Sequence, residues 1–118
     1  MQNENLSIDT LPVGGEQVRV FSLKGPLTLT TFFPFQTAIR SEKAAIVIVE
    51  MSGVAYVDSA GLGALVNSYV SLEKHGRHFL LAGVQKRVKD LLTMTKVAQL
   101  FPDFDTWEDA LKSTSTPA

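Results

Sequence analysis

The chemically most suggestive stretch of the 118-residue chain is Val57-Asp58-Ser59-Ala60-Gly61-Leu62-Gly63. An acid, a hydroxyl and two glycines stand where an extended segment runs into the longest helical pattern, so Ser59 is expected at or beside a helix's first turn. Helix amino termini carry N–H groups without intrahelical partners and a partial positive charge. The two glycines would expose backbone amides there and give a phosphate close access, so that a phosphoryl group on Ser59 would be well held. The same residues also fit a purely structural role, with Asp58 or Ser59 as an N-cap and the glycines easing close packing against a sheet.

Rival chemistries fail on order and spacing. Val57-x-Ser59-x-Gly61 is one residue short of the Gly-x-Ser-x-Gly elbow of α/β hydrolases. That triad needs a later acid and then a histidine, whereas His75 and His78 precede Asp103, Asp105 and Asp109, and the chain is too short for that fold. A dinucleotide fingerprint is not completed, because Val66 occupies the third glycine position after Gly61 and Gly63. His75 and His78 are separated by Gly76 at a helix end and should diverge, so they read as a helix-terminal cap and a strand residue rather than metal ligands. No catalytic residue, metal site or cofactor is expected.

Composition narrows the partners. Eleven Lys and Arg against twelve Asp and Glu give a net charge of −1, which lacks the one-signed field that holds nucleic acid or anionic membrane. The absence of cysteine removes thiol nucleophiles, disulfide scaffolds and almost every structural zinc site. Met1 to Ser7 has no basic residue and no apolar stretch behind it, unlike a secretory leader. The longest purely apolar run, Ala44 to Val49, is far below the roughly 20 residues that cross a bilayer in a helix. A cytoplasmic protein with no membrane insertion is expected, and nothing in the charge balance calls for an obligate dimer.

The elements that must position Ser59 follow from periodicity. A short strand is expected near Leu6 to Pro12, and a second over Gln17 to Lys24. Thr31 is placed to cap a helix running to about Ser41, with Phe32, Phe35 and Ile39 on one face and Pro34 in its first turn. Phe33, if it points outward, would mark a docking patch. Ala44 to Met51 reads as a strand buried on both faces, followed by a short extended segment at Val54 to Val57. A long helix then spans Ser59 to His75 with Leu62, Leu65, Val66, Tyr69, Val70 and Leu72 at apolar positions, ended by Gly76 in the left-handed conformation.

A strand at His78 to Ala82 precedes a helix over Val84 to Thr95, with Lys86, Arg87 and Lys89 on its wet side. A last helix starts at the capping box Thr106-Trp107-Glu108-Asp109. Alternating strands and helices, with one strand apolar enough to be covered on both sides, give an α/β fold whose inner strands are parallel. Partners of such sheets meet the carboxyl ends of the strands, which is where the Ser59 turn falls. One domain over residues 1–112 and a tail over 113–118 are expected.

From Gly25 to Phe104 the order of motifs resembles the STAS domain, the module of bacterial anti-sigma factor antagonists and of the cytosolic tails of sulfate transporters. Val47-Ile48-Val49-Glu50-Met51-Ser52-Gly53-Val54 resembles the family's apolar strand and small turn. Val57 to Leu65 resembles its Asp-Ser-Ser/Thr-Gly-Leu-Gly signature. Gly76 to Val84, Val88 to Leu92 and Leu100-Phe101 resemble the following strand, helix and closing segment.

The resemblance implies a mixed sheet of about four to five strands with about four helices, and it puts the family's phosphorylated serine at Ser59. It also implies a partner-binding surface at Thr28, Asp58, Ser59, Ala60, Gly61, Leu62 and Gly63. Ala60 stands where antagonists usually carry a second hydroxyl, and Thr28 where they carry an acid that helps engage the kinase. The implied role is that of an anti-sigma factor antagonist. It would bind an anti-sigma factor with serine kinase activity, be switched off by phosphorylation of Ser59, and be reset by a serine phosphatase. The alternative is a stand-alone STAS subunit that binds a membrane transporter or its ATPase without phosphorylation.

Overall fold

The computed structural model describes residues 5–102 and 104–114. Its elements run β1 (Ser7–Leu11), β2 (Val18–Lys24), α1 (Phe32–Ser41), β3 (Ile46–Gly53), α2 (Ser59–Lys74), β4 (His78–Ala82), α3 (Lys86–Met94) and α4 (Trp107–Thr114), with a 3₁₀ turn at Ala98–Leu100. The four strands form one mixed sheet in the order β1-β2-β3-β4. β2, β3 and β4 are parallel, and β1 is antiparallel to β2. This is the α/β architecture expected from the alternation of strands and helices.

β3 lies between two parallel neighbours, which explains its continuous Ile-Val-Ile-Val sequence: β-branched side chains suit a strand with no wet face. Val47, Val49 and Met51 enter the larger core with Phe21, Leu23, Phe79 and Leu81, where Phe35 and Ile39 of α1, Leu65 and Leu72 of α2, and Val88 and Leu92 of α3 cover them. Ile48 points the other way and joins Val20, Ala82 and Ala110 in a smaller core under α4, with Trp107 and Leu111 at its margin.

The helix ends follow their local chemistry. Gly76 is left-handed (φ 73°), and the Arg77 and Gly76 amides donate to the Leu72 and Glu73 carbonyls, satisfying acceptors that α2 would otherwise leave open. The α4 capping residue is Thr106, whose hydroxyl accepts from the Asp109 amide at 3.1 Å.

Several expectations are corrected. Thr31 precedes α1, but its hydroxyl makes no cap bond to that helix. It donates instead to the Pro26 carbonyl at 2.7 Å and accepts from the Thr28 amide at 2.8 Å, closing the β2–α1 loop on itself. Val70 is 51% exposed, because the buried face of α2 runs through Gly61, Ala64, Leu65, Ser68 and Leu72 and turns residue 70 away. Lys89 is half-buried rather than on the open face of α3. α3 begins at Lys86, with Val84 outside it, and α4 runs from Trp107 to Thr114. The rest of the expected tail, residues 115–118, lies outside the described residues, as does Asp103.

Lys96 is the one described non-glycine residue with positive φ (64°). It occupies at the end of α3 the position Gly76 holds at the end of α2: its amide donates to Thr93, and the Val97 amide donates to Leu92. An L side chain is strained there, and Lys96 is exposed, so little packing is lost with it. Lys96→Gly is therefore expected to raise stability by about 0.5–1 kcal/mol, seen as a rise of about 2–5 °C in the calorimetric Tm.

Candidate functional site at the start of helix α2

Two loops build the site. The loop after β2 carries Leu27, and the loop after β3 carries Val57; the two pair as a parallel bridge, with Leu27 N donating to Tyr56 O at 3.0 Å and Asp58 N donating to Leu27 O at 3.3 Å. Leu27 and Val57 are both buried, so the bridge is anchored in the larger core. Gly61 completes the junction. A side chain there would collide with the Leu27 carbonyl oxygen, so only glycine lets the first turn of α2 lie against this loop. The two glycines differ: a Cβ at Gly63 would meet nothing within 4 Å.

Asp58 caps α2. Its Oδ1 accepts from Gly61 N at 2.9 Å, satisfying one of the helix's orphan donors, and its Oδ2 accepts from Leu29 N at 3.1 Å in the other loop. Desolvation pushes the Asp58 carboxyl pKa up, but the backbone N–H groups of Gly61, Leu29, Ala60 and Asp58 itself outweigh it and hold the group below its ordinary value.

Ser59 is the first residue of the helix and is exposed, while Ala60, Leu62 and Gly63 are partly exposed beside it. The expectation of an open run of amides at this turn is corrected. Gly61 N is taken by the Asp58 carboxylate, which stands one residue before the helix and reaches that donor first, and Leu62 N makes the first intrahelical bond to the Asp58 backbone carbonyl at 2.8 Å.

Thr28 lies in the same junction without bonding to Asp58. Its hydroxyl is 3.2 Å from that of Thr30 and 3.4 Å from that of Thr31, and its carbonyl accepts from Thr31 N and Phe32 N. The loop-to-helix link comes instead from the Leu29 amide, which sequence reading missed because an amide has no residue-type signature.

Exposed apolar side chains surround the junction. Leu29 is 68% exposed and Tyr56 52% exposed, in the two loops themselves. Phe33 is exposed as well, at the start of α1. Met94 of α3 is exposed too and lines a groove of about 330 Å³ with Tyr56, Val57 and Leu91.

The two histidines sit elsewhere. His75 follows the last residue of α2, roughly 24 Å along the axis from Ser59 at 1.5 Å per residue. Its Nδ1 lies 2.9 Å from the Ser71 carbonyl, so it does cap the helix end. His78 starts β4 beside Glu73, with 3.5 Å between His78 Nδ1 and Glu73 Oε2. The His75 imidazole therefore stands at the opposite end of α2 from Ser59. Among the described residues there is no group of three or more His, Asp or Glu able to hold a metal ion, and no helix is long and apolar enough to cross a membrane.

A four-stranded mixed sheet whose strand β3 leads, through the Val57 loop, into a capped helix start defines a small α/β module. The STAS domain family model matches residues 13–110, and the chain belongs to that family. Among solved structures, the chain is similar to an anti-sigma factor antagonist from Mycobacterium paratuberculosis, at 25% identity over 93% of this chain and 96% of that one, with a TM-score of 0.78. It shares its fold with the Bacillus cell fate determinant SpoIIAA in its phosphorylated form (18% identity, 92% of this chain and 99% of that one, TM-score 0.70). It shares it also with part of the murine anion transporter Slc26a9 (21% identity, 95% of this chain but 22% of that one, TM-score 0.74).

Asparagine at position 58 has one acceptor where aspartate has two, so its amide group would face either Gly61 N–H or Leu29 N–H donor to donor. Asp58→Asn is expected to lower stability by about 1–2 kcal/mol at pH 7 in urea unfolding. Because the folded-state pKa is lowered, the carboxylate stabilises the native state above the unfolded-state pKa and loses that effect as pH falls through the folded value. The gap between wild type and variant should therefore close as pH drops below about 4.

Proposed function

We propose that this protein is an anti-sigma factor antagonist that binds an anti-sigma factor with serine kinase activity through the start of α2, and that phosphorylation of Ser59 switches the contact off. The observation that carries the reading is the exposed Ser59 hydroxyl on a rigidly capped helix start, flanked by exposed Leu29 and Tyr56. The similarity to the mycobacterial antagonist over nearly the whole of both chains supports it. Thr28, Asp58, Ala60, Gly61, Leu62 and Gly63 belong to the surface, some by contact and some by holding the loops.

The physics of the switch follows from the cap. Phosphate would add a charge of about −1.5 to −2. Asp58 already holds the Gly61 and Leu29 amides, so the phosphate stands toward solvent beside a second anion instead of displacing the cap. Modification thus changes the charge of the docking face and leaves the fold as it is. The partner supplies the ATP; this chain supplies the hydroxyl acceptor and acts as substrate and ligand, with a serine phosphatase restoring the binding form.

Incubation with the cognate anti-sigma kinase and ATP should place one phosphate on Ser59, detected by mass spectrometry, and none on Ser59→Ala. Ser59→Asp should weaken the complex by about tenfold or more while its amide spectrum stays native. Equal binding of all three forms without phosphate transfer would overturn this reading in favour of a subunit that docks on a transporter or its ATPase. Gly63 gives a second test. Since its Cβ would occupy open space, Gly63→Ala should stabilise the free protein by about 0.5–1 kcal/mol. It should nevertheless weaken the partner complex, if the partner's backbone packs onto the bare helix there; an unchanged Kd would remove Gly63 from the surface.

A further inference from the structure

A second site lies between α1 and α2, toward the far end of α2 from Ser59. The groove encloses about 420 Å³, and its lining includes Arg40 of α1, Asn67, Ser71 and His75 of α2, and Arg77 beyond it. Among the described residues no carboxylate lines it. Ile39 and Leu72, both almost wholly buried, give it an apolar floor.

The two guanidinium groups are held differently. Arg77 is fixed in place: its Nε donates to the Ala44 carbonyl at 2.9 Å and its Nη2 to the Glu42 carbonyl at 2.6 Å. Those are neutral acceptors, and Arg77 forms no ion pair with any described residue. The Glu42 carboxylate is engaged by Arg19 at 2.9 Å and by the Lys43 and Ala44 amides. Arg40 is exposed and forms no ion pair with any described residue. The His75 ring is oriented by the Ser71 carbonyl through Nδ1, leaving Nε2 as its other polar atom.

Two arginines in a groove without an acid, one of them immobilised in advance, are suited to an oxyanion with several acceptor oxygens, since a planar guanidinium forks onto phosphate and a pre-ordered one loses less entropy on binding. The groove is also much larger than an oxyanion alone requires and lies within the range of small-molecule sites. Its apolar floor accounts for the remainder. We propose that the α1–α2 groove binds a small organic phosphomonoester, the phosphate held by Arg40 and Arg77 and the organic part lying over Ile39 and Leu72.

The test is an NMR titration of the whole protein at constant ionic strength with phenyl phosphate, inorganic phosphate and phenol as probes. It follows backbone amides and the arginine Nε–H signals. Phenyl phosphate should give saturable shifts confined to residues 36–40 and 67–77, with affinity about fivefold or more above that of inorganic phosphate. Phenol should not saturate.

Arg40→Gln should weaken phenyl phosphate binding by about tenfold, Arg40→Lys by less, and Arg87→Gln on α3 should leave it unchanged. A native amide spectrum for each variant separates loss of the site from loss of the fold. The proposal is overturned by non-saturating shifts up to about 50 mM, by shifts spread over basic residues generally, by wild-type affinity in Arg40→Gln, or by inorganic phosphate binding as tightly as the phenyl ester.

Discussion

The Asp58 carboxylate is the fastening on which the candidate site depends. One oxygen satisfies the helix it precedes and the other crosses to the Leu29 amide, so a single side chain fixes the start of α2 against a loop from a different part of the chain. Neither bond is individually large, since hydrogen bonds to charged groups contribute about 1.5–3 kcal/mol net at most. Their value is geometric. They hold Ser59 at the surface on a backbone that has already lost its freedom, so that anything docking at this face would meet an ordered surface.

That fastening works only because the backbones can approach. The Leu27–Val57 bridge brings the two loops into register, and Gly61 removes the side chain that would hold them apart. The strands supply the platform: β3, buried on both faces between parallel neighbours, ends just before the loop that turns into α2. The constraint thus runs from a β-branched sequence, through a rigid central strand, to the angle at which one helix leaves the sheet.

Much of this was legible in the residues. The apolar run in β3 and the helical period of α2 fixed the two elements that meet at the site, and the Asp-Ser pair ahead of two glycines marked the junction. What escaped the sequence was long-range or backbone in character. The Leu29 amide has the chemistry of every other amide, and only the fold brings it to Asp58. Gly61 and Gly63 look alike as letters, yet one faces a carbonyl and the other open space. Val70 matched the apolar pattern but falls outside the arc that meets the core. Thr31 had the right type for a cap and was taken by closer partners at Pro26 and Thr28.

The unequal coverage of the two sheet faces has a practical side. α1, α2 and α3 share one face, whereas α4 alone seals Val20, Ile48 and Ala82 on the reverse. A fluorophore or affinity handle attached at an exposed position of α4, such as Glu108, would thus stand on the back of the molecule. Ser59 and its neighbours would stay clear for immobilised or imaging assays.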